Sequence, residues 1–408
     1  MKRMFLIMLS IFFNTLLFSV MPIPDALFLD QDLNFWCLKE FFTTNDKIVV
    51  YIFSFDEPMW EHDVLSIKQQ VGNTIPLVCI STDKEFYKYV STEFFKKNKI
   101  NLLFDPKGYN VKLNFGKEKK LGVVNKNMVY TEINDFVQLG DQLKKQYKND
   151  ENWSIINFVI TCGLSGVVTP CASCPQTYNI GGWLQRESTL SAYKSKLYSY
   201  IFDLGNFLPQ DVKNEDIKKI VYSMILTNYD KIMLGEKEIS KITDIFSIVQ
   251  KENQYKKFVL PLTDVYNNHS DNNVWYNNFD YFTICYLSYG TTKKNCVKEI
   301  KQVIEKNKIK NMFLFSNLGY LNDIEILQQI PEIKLVISGN HNYNLPQMMK
   351  YNDIPIIFSS LSPEYITRIC LYVAGKEVKK VKVSLIPVLP AVKINTDLEK
   401  VLEEKLLK

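Results

Sequence analysis

The chain has 408 residues, 46% hydrophobic and 23% charged, which is ordinary for a soluble globular protein and excludes a polytopic membrane protein or a disordered chain. At roughly 150 residues per domain, this length predicts two or three domains, each with its own core. Lys plus Arg is 49 against 44 acidic residues, and the net charge of +5 is too mild to predict nucleic-acid binding; with only His62, His269 and His341, chemistry needing a rich imidazole cluster is excluded.

Lys2 and Arg3 precede an apolar run, residues 4–18, and the small Ser19 precedes Pro22 and Pro24. This pattern reads as a secretory signal over residues 1–19. The run is shorter than the ~20 apolar residues that span a bilayer, and an uncleaved N-terminal anchor is the alternative. Removal of the signal leaves a charge of +3. The mature chain is therefore expected to be exported, in a periplasm or cell envelope. Its eight cysteines (Cys37, Cys79, Cys162, Cys171, Cys174, Cys285, Cys296, Cys370) can form disulfides there, with a connectivity that spacing does not give.

Residues 22–150 alternate apolar runs of strand length with helical spacing. Residues 48–53, 75–80, 100–104, 121–124 and 128–131 predict strands, and 64–71 and 86–95 predict helices. Cys37 falls in another predicted helix, and Asn134 opens a last one that runs to Tyr147. Such alternation predicts a central sheet covered on both faces. Cys79, in an apolar strand, and Cys37 both read as packed, unreactive thiols. The polar run 148–152 marks the domain boundary.

A second alternation fills residues 153–392. Strands are predicted at 155–161, 200–203, 231–234, 257–260, 281–287, 312–315, 335–337 and 354–358, with helices at 185–196, 216–226 and 294–306. The Asn- and Asp-rich stretch 265–278 reads by composition as a surface loop or an insertion. Residues 365–373 and 378–386 predict an antiparallel pair around a Gly375-Lys376 turn, and residues 393–408 a helical tail.

Residues 102–116 (LLFDPKGYNVKLNFG) carry an Asp-Pro-x-Gly turn and a following helix, and residues 53–60 (FSFDEPMW) leave a strand for a helix. In this layout the first domain resembles the thioredoxin-like redoxin family. That family places Trp-x-x-x-Cys-x-x-Cys at the second of these segments, where the helix N-terminus activates a thiol. Here Glu57 and Trp60 occupy the cysteine positions, and Lys119-Lys120-Leu121-Gly122 lacks the family's cis-proline. The resemblance implies a thioredoxin-like fold without thiol exchange, serving as a binding or scaffold module.

Five short segments of the second domain resemble motifs of calcineurin-like metallophosphoesterases, in particular exported members related to the 5′-nucleotidase branch. The family's Asp-x-His-Gly aligns with Gly163-Leu164-Ser165-Gly166, and Gly-Asp-Phe with Gly205-Asn206-Phe207. Gly-Asn-His-Glu aligns with Gly235-Glu236-Lys237-Glu238, Ser-His-Leu-Gly with Ser316-Asn317-Leu318-Gly319, and Gly-His-x-His with Gly339-Asn340-His341-Asn342. The resemblance implies a four-layer α/β/β/α fold in which two metal ions would activate water, with every metal-binding imidazole lost. A softer reading keeps Asn206, Glu236, Glu238, Asn317, Asn340, His341 and Asn342 as an oxygen-rich set for Mg²⁺ or Ca²⁺, with Lys237 beside it for an anion. The plain alternative is that all of these are solvated loop residues.

Residues 162–175 (CGLSGVVTPCASCP) precede Gly181-Gly182-Trp183-Leu184-Gln185-Arg186. They resemble a subgroup of exported phosphoesterase-like proteins with a Pro-Cys-x-Cys or similar element before Gly-Gly-Leu-Ala-Arg-Arg. Cys171 and Cys174 can close a small disulfide, act as a redox dithiol, or join Cys162 as soft ligands for Zn²⁺ or Cu⁺. Haem attachment is excluded because Pro175 follows Cys174.

The expectation is an exported α/β protein, a thioredoxin-like domain followed by a metallophosphatase-like one, acting as a non-catalytic binding or scaffold protein. It needs no cofactor and binds no nucleic acid. Its partner is an envelope protein or a small anionic ligand, and it meets membrane only through an uncleaved signal segment. The rival expectations are a metal-dependent phosphoesterase and a thiol oxidoreductase using Cys171 and Cys174.

Overall fold

A computed structural model describes residues 22–407 apart from 84, 107, 117–119, 145–152, 167–181, 255, 260–274, 280–281, 290–292, 376 and 390–391. The signal at 1–19, the boundary at 148–152 and the pair Cys171 and Cys174 lie outside the described residues. The chain divides into two compact units, one running to Ile156 and including Leu371–Lys380, the other comprising Asn157–Cys370 and Val381–Lys408.

The first unit contains β1 (Leu27–Asp30), β2 (Phe35–Cys37), β3 (Lys47–Phe53), α1 (Trp60–Val71), β4 (Leu77–Ser81), α2 (Glu93–Lys97), β5 (Asn101–Phe104), α3 (Tyr109–Phe115), β6 (Lys120–Asn125), β7 (Tyr130–Ile133) and α4 (Phe136–Lys144). The strands form one sheet in the order β2-β1-β5-β4-β3-β6-β7. Strands β3, β4 and β5 are parallel and β6 is antiparallel to β3. The sheet centre is covered on both faces, which is why β3 and β4 are continuous apolar runs with almost every residue buried. The Asp-Pro-x-Gly turn holds α3 by its first residue: buried Asp105 accepts the Val111 N–H at 2.7 Å.

Two expectations are corrected here. Cys37 ends strand β2, paired with Leu27 across the hairpin, and only a 3₁₀ turn, Leu38–Phe42, follows it. Cys37 is held extended by its pairing with β1, and the buried Asp25 carboxylate caps the turn that follows, accepting the Leu38 and Lys39 N–H groups at 2.9 and 3.3 Å. The helix expected over 86–95 is a 3₁₀ turn, Phe86–Lys88, and the short α2, separated by an extended Thr92. Phe86 and Phe95 are both buried, so the apolar spacing was real but belonged to two elements.

From β8 (Trp153–Thr161) onward there are two six-stranded sheets. The first has the order β11-β10-β9-β8-β18-β19 and contains β9 (Tyr200–Asp203), β10 (Lys231–Met233), β11 (Phe258–Val259), β18 (Tyr365–Ala374) and β19 (Glu377–Pro387). The second, in the order β12-β13-β14-β15-β17-β16, contains β12 (Trp275–Asn278), β13 (Thr283–Leu287), β14 (Met312–Ser316), β15 (Ile333–Ser338), β16 (Gln347–Tyr351) and β17 (Ile354–Phe358). Aromatic rings join their inner faces, with Phe158 5.7 Å from Phe315 and Phe202 4.8 Å from the same ring. Arg368 on β18 donates to the buried Asn157 on β8 at 2.8 Å, 211 residues apart.

Helices cover both outer faces. On the second sheet, α9 (Lys293–Asn307) and α10 (Tyr320–Leu327) pack Ile300, Ile304 and Ile326 against Leu314, Val336 and Ile356. The first sheet carries α5 (Trp183–Leu197), α6 (Asn214–Leu226), α8 (Ile242–Lys251) and α11 (Thr396–Leu407), with the short α7 (Glu236–Ile239) after β10. Lys405 on α11 pairs with Glu252 and lies 5.5 Å from the Tyr222 ring centroid. The layers are α/β/β/α. Part of the expected loop at 265–278 is instead strand β12, hydrogen-bonded to β13 from Trp275 to Asn278. Among the described residues no helix is long and apolar enough to cross a membrane.

Candidate functional site

The C-terminal ends of β8, β9, β10, β14 and β15 meet, and they bring together most of the residues singled out by motif. Backbone bonds join the first two loops: Gly163 N–H donates to Gly205 O at 3.0 Å, Ser165 N–H to Asn206 O at 3.2 Å and Gly166 N–H to Phe207 O at 2.6 Å. Asn317 is fully buried. Its side-chain amide donates to the carbonyls of Leu204 at 2.6 Å and Leu234 at 3.0 Å, tying β14 to the loops after β9 and β10. Asn340 donates in turn to Asn317 O at 3.2 Å.

Lys237 reaches across this junction, its ammonium 3.1 Å from the Ser165 hydroxyl, while its backbone N–H points to Asn206 Oδ1 at 3.5 Å. Glu238 is fully buried and accepts three backbone N–H groups, from Asn206 (2.7 Å), Leu208 (2.8 Å) and Gly235 (2.8 Å). Burial pushes its carboxyl upward against those bonds. His341 accepts the Tyr343 N–H on Nδ1 at 3.1 Å and lies 5.3 Å from the Phe358 ring. Burial lowers it to about 4, so the ring is neutral at pH 7. Glu236 and Asn342 are exposed.

Cys162 is buried and its thiol faces the carbonyls of Gly205 at 3.5 Å and Gly339 at 3.4 Å. Burial, with the Asp203 charge nearby, pushes the thiol up, the reverse of what a nucleophile or redox thiolate needs. Among the described residues no group of three or more His, Cys, Asp or Glu is placed to hold a metal ion. Cys37, Cys79, Cys285, Cys296 and Cys370 are buried too. The chain in which Cys171 and Cys174 are serine is therefore expected to show no thiol reactive with Ellman's reagent at pH 8 until it is denatured, when six appear. A thiol that reacts within minutes in that native variant would contradict the burial.

One buried set was missed by motif reading. The Asp203 carboxylate accepts from the Thr161 hydroxyl at 2.5 Å and the Gly205 N–H at 2.8 Å, and Tyr229 hydroxyl lies 2.8 Å from the same threonine. Burial pushes Asp203 up to about 7, while the Arg186 charge pulls it down. Arg186 belongs to the Gly-Gly-Trp-Leu-Gln-Arg element, and its buried side chain anchors α5 at this sheet end. The only sequence signal was an apolar strand ending in aspartate.

No protein-family model matches the sequence, and no curated protein matches it. Among solved structures the chain is similar to a 5′-nucleotidase precursor of Thermus thermophilus, with 10% identity and a TM-score of 0.49 over 62% of this chain and 59% of that one. It is also similar to the calcineurin-like phosphoesterase YfkN of Bacillus subtilis, with 14% identity and a TM-score of 0.44 over 63% and 98% of the two chains. A thioredoxin-like protein of Aeropyrum pernix is similar over 29% of this chain and 88% of its own, with 12% identity and a TM-score of 0.23. The chain spans about six tenths of the first neighbour's length. The architecture described above rests on strand order and packing, not on these likenesses.

Proposed function

We propose that the chain is an exported, non-catalytic binding protein of the cell envelope, built on a thioredoxin-like and a phosphoesterase-like fold. The observation that carries this reading is the Asn317 amide. This side chain stands where the resemblance puts a metal-binding imidazole, and its N–H groups hold the Leu204 and Leu234 carbonyls, so it works as a cross-link between the loops. Lys237 supports the same reading, since a fixed ammonium among the loops repels a dication and suits a small anionic ligand. Export rests on residues 2–19.

The test is hydrolysis of bis-p-nitrophenyl phosphate and of 5′-AMP by the purified chain with Mn²⁺, Mg²⁺ or Zn²⁺, with bound metal measured after desalting. Background rates are expected. Metal-dependent turnover that is lost in Glu236→Ala or His341→Ala would overturn the proposal in favour of a hydrolase. One observation favours that second reading: Asn317 Oδ1 is buried without a hydrogen bond, an oxygen that a hard cation or a water could use. A third reading, redox work by Cys171 and Cys174, is decided by glutathione exchange in the wild-type chain and its loss in Cys171→Ser.

A further inference from the structure

Where the resemblance puts a dithiol, the end of β3 and the start of α1 carry a row of aromatic rings. Phe55 stacks on Tyr89 with centroids 4.0 Å apart and planes 9° apart. Trp60 meets Phe55 edge-on at 5.0 Å and Phe94 at 5.0 Å. Phe53 and Phe95 lie fully buried beneath, and the four outer rings are half-buried, beside Met59 at 57% exposure. The surface is preorganised: Asp83 accepts the Ser54 hydroxyl at 2.6 Å, the Phe55 N–H at 2.9 Å and the Ser81 hydroxyl at 2.5 Å, fixing the loop that presents Phe55.

The charge around these rings is negative. Asp56, Glu61, Glu85 and Glu93 are exposed and flank Phe55, Trp60, Tyr89 and Phe94 in the chain, with exposed Lys88, Lys96 and Lys97 on the Tyr89 and Phe94 side, so the acidic excess is strongest beside Phe55 and Trp60. Asp56, Asp83 and Glu85 all face Tyr89, and the one lysine that faces it, among the described residues, is Lys88, paired with Glu85. The whole chain carries +5, so this rim opposes the sign of the molecule. Exposed aromatic faces attract cations, by about 0.5–1 kcal/mol each, and carboxylates beside them add electrostatic steering.

We propose that this face docks a basic peptide segment, with lysine or arginine side chains lying over Phe55, Tyr89 and Trp60 and their charges among Asp56, Glu61 and Glu85. A row of four rings is longer than a single small amine can cover, which favours an extended chain.

The test uses the full chain and a fluorescein-labelled peptide of alternating lysine and alanine, with alternating glutamate and alanine as its opposite. Anisotropy is expected to show saturable binding of the basic peptide that weakens as salt rises. Affinity is expected to fall about fivefold in Tyr89→Ala, which removes one ring and its stack. The charge reversal Asp56→Lys with Glu61→Lys, at exposed positions that leave the core intact, should abolish binding. Failure of the basic peptide to bind, equal binding of both peptides, or unchanged affinity in the charge-reversed chain overturns the proposal.

Discussion

Gly205→Ala is expected to lower the stability of the second unit by about 4 kcal/mol. Gly205 has φ +87°, in the left-handed region, where a residue with a Cβ is penalised by about 1–2 kcal/mol. An added Cβ would also lie 2.3 Å from Gly235 N and 2.8 Å from Leu234 C. Both are backbone atoms, so no side chain can rotate away, and forcing the loops after β9 and β10 apart costs about 1–3 kcal/mol more. Gly116→Ala separates the two effects. It has φ +81° and nothing within 4 Å of an added Cβ, so only the first penalty applies. Calorimetry of both variants measures the difference, and equal losses would mean that the two loops separate freely.

Glu238→Ala should be nearly as severe, about 3–4 kcal/mol. It strands three N–H groups, the buried ones of Leu208 and Gly235 and the part-buried one of Asn206, and each orphaned donor costs about 1–3 kcal/mol, with partial relief by relaxation or entering water. Glu238→Gln keeps one acceptor oxygen and should lose about half as much. It also carries a pH signature. Burial raises the folded carboxyl above its unfolded value, so as pH rises the unfolded chain releases its proton first. The stability from this difference is complete below the ordinary glutamate range and disappears as pH climbs through the folded value. Glu238→Gln should therefore remove part of the wild type's decline in stability over that window, and urea midpoints between pH 4 and 8 measure it. An unaltered slope would place the titration on other carboxyls, Asp203 and Asp323 first, both raised to about 7 by burial.

What the sequence made legible follows from how each residue is used. Strands such as β3 and β14 are buried along nearly their whole length and appear as continuous apolar runs. Strand β16 hides because Gln347, Met348, Met349 and Lys350 are all exposed, leaving no apolar period to read. Helices α8 and α10 were absent from the sequence reading for a related reason: they have ten and eight residues, about the shortest over which a 3.6-residue period can be counted. The motifs located the strand-end loops through their glycines and asparagines. They could not say that Asn317 would cross-link those loops, since its two acceptors lie 113 and 83 residues away. The set of Thr161, Asp203 and Tyr229 is equally non-local, and polar residues ending apolar strands look the same whether they face solvent or the interior.

The position of β8 between β9 and β18 has a consequence for the newly made chain. Its partner residues arrive late, Arg368 being synthesised 211 residues after Asn157, and at ~5–20 residues per second translation needs at least ~10 s to supply them. Throughout that interval one edge of an apolar strand stands open, a template for pairing with other chains. A holdase that shields nascent strands would find its substrate here, and any transcript truncated before Tyr365 would yield a product prone to aggregate.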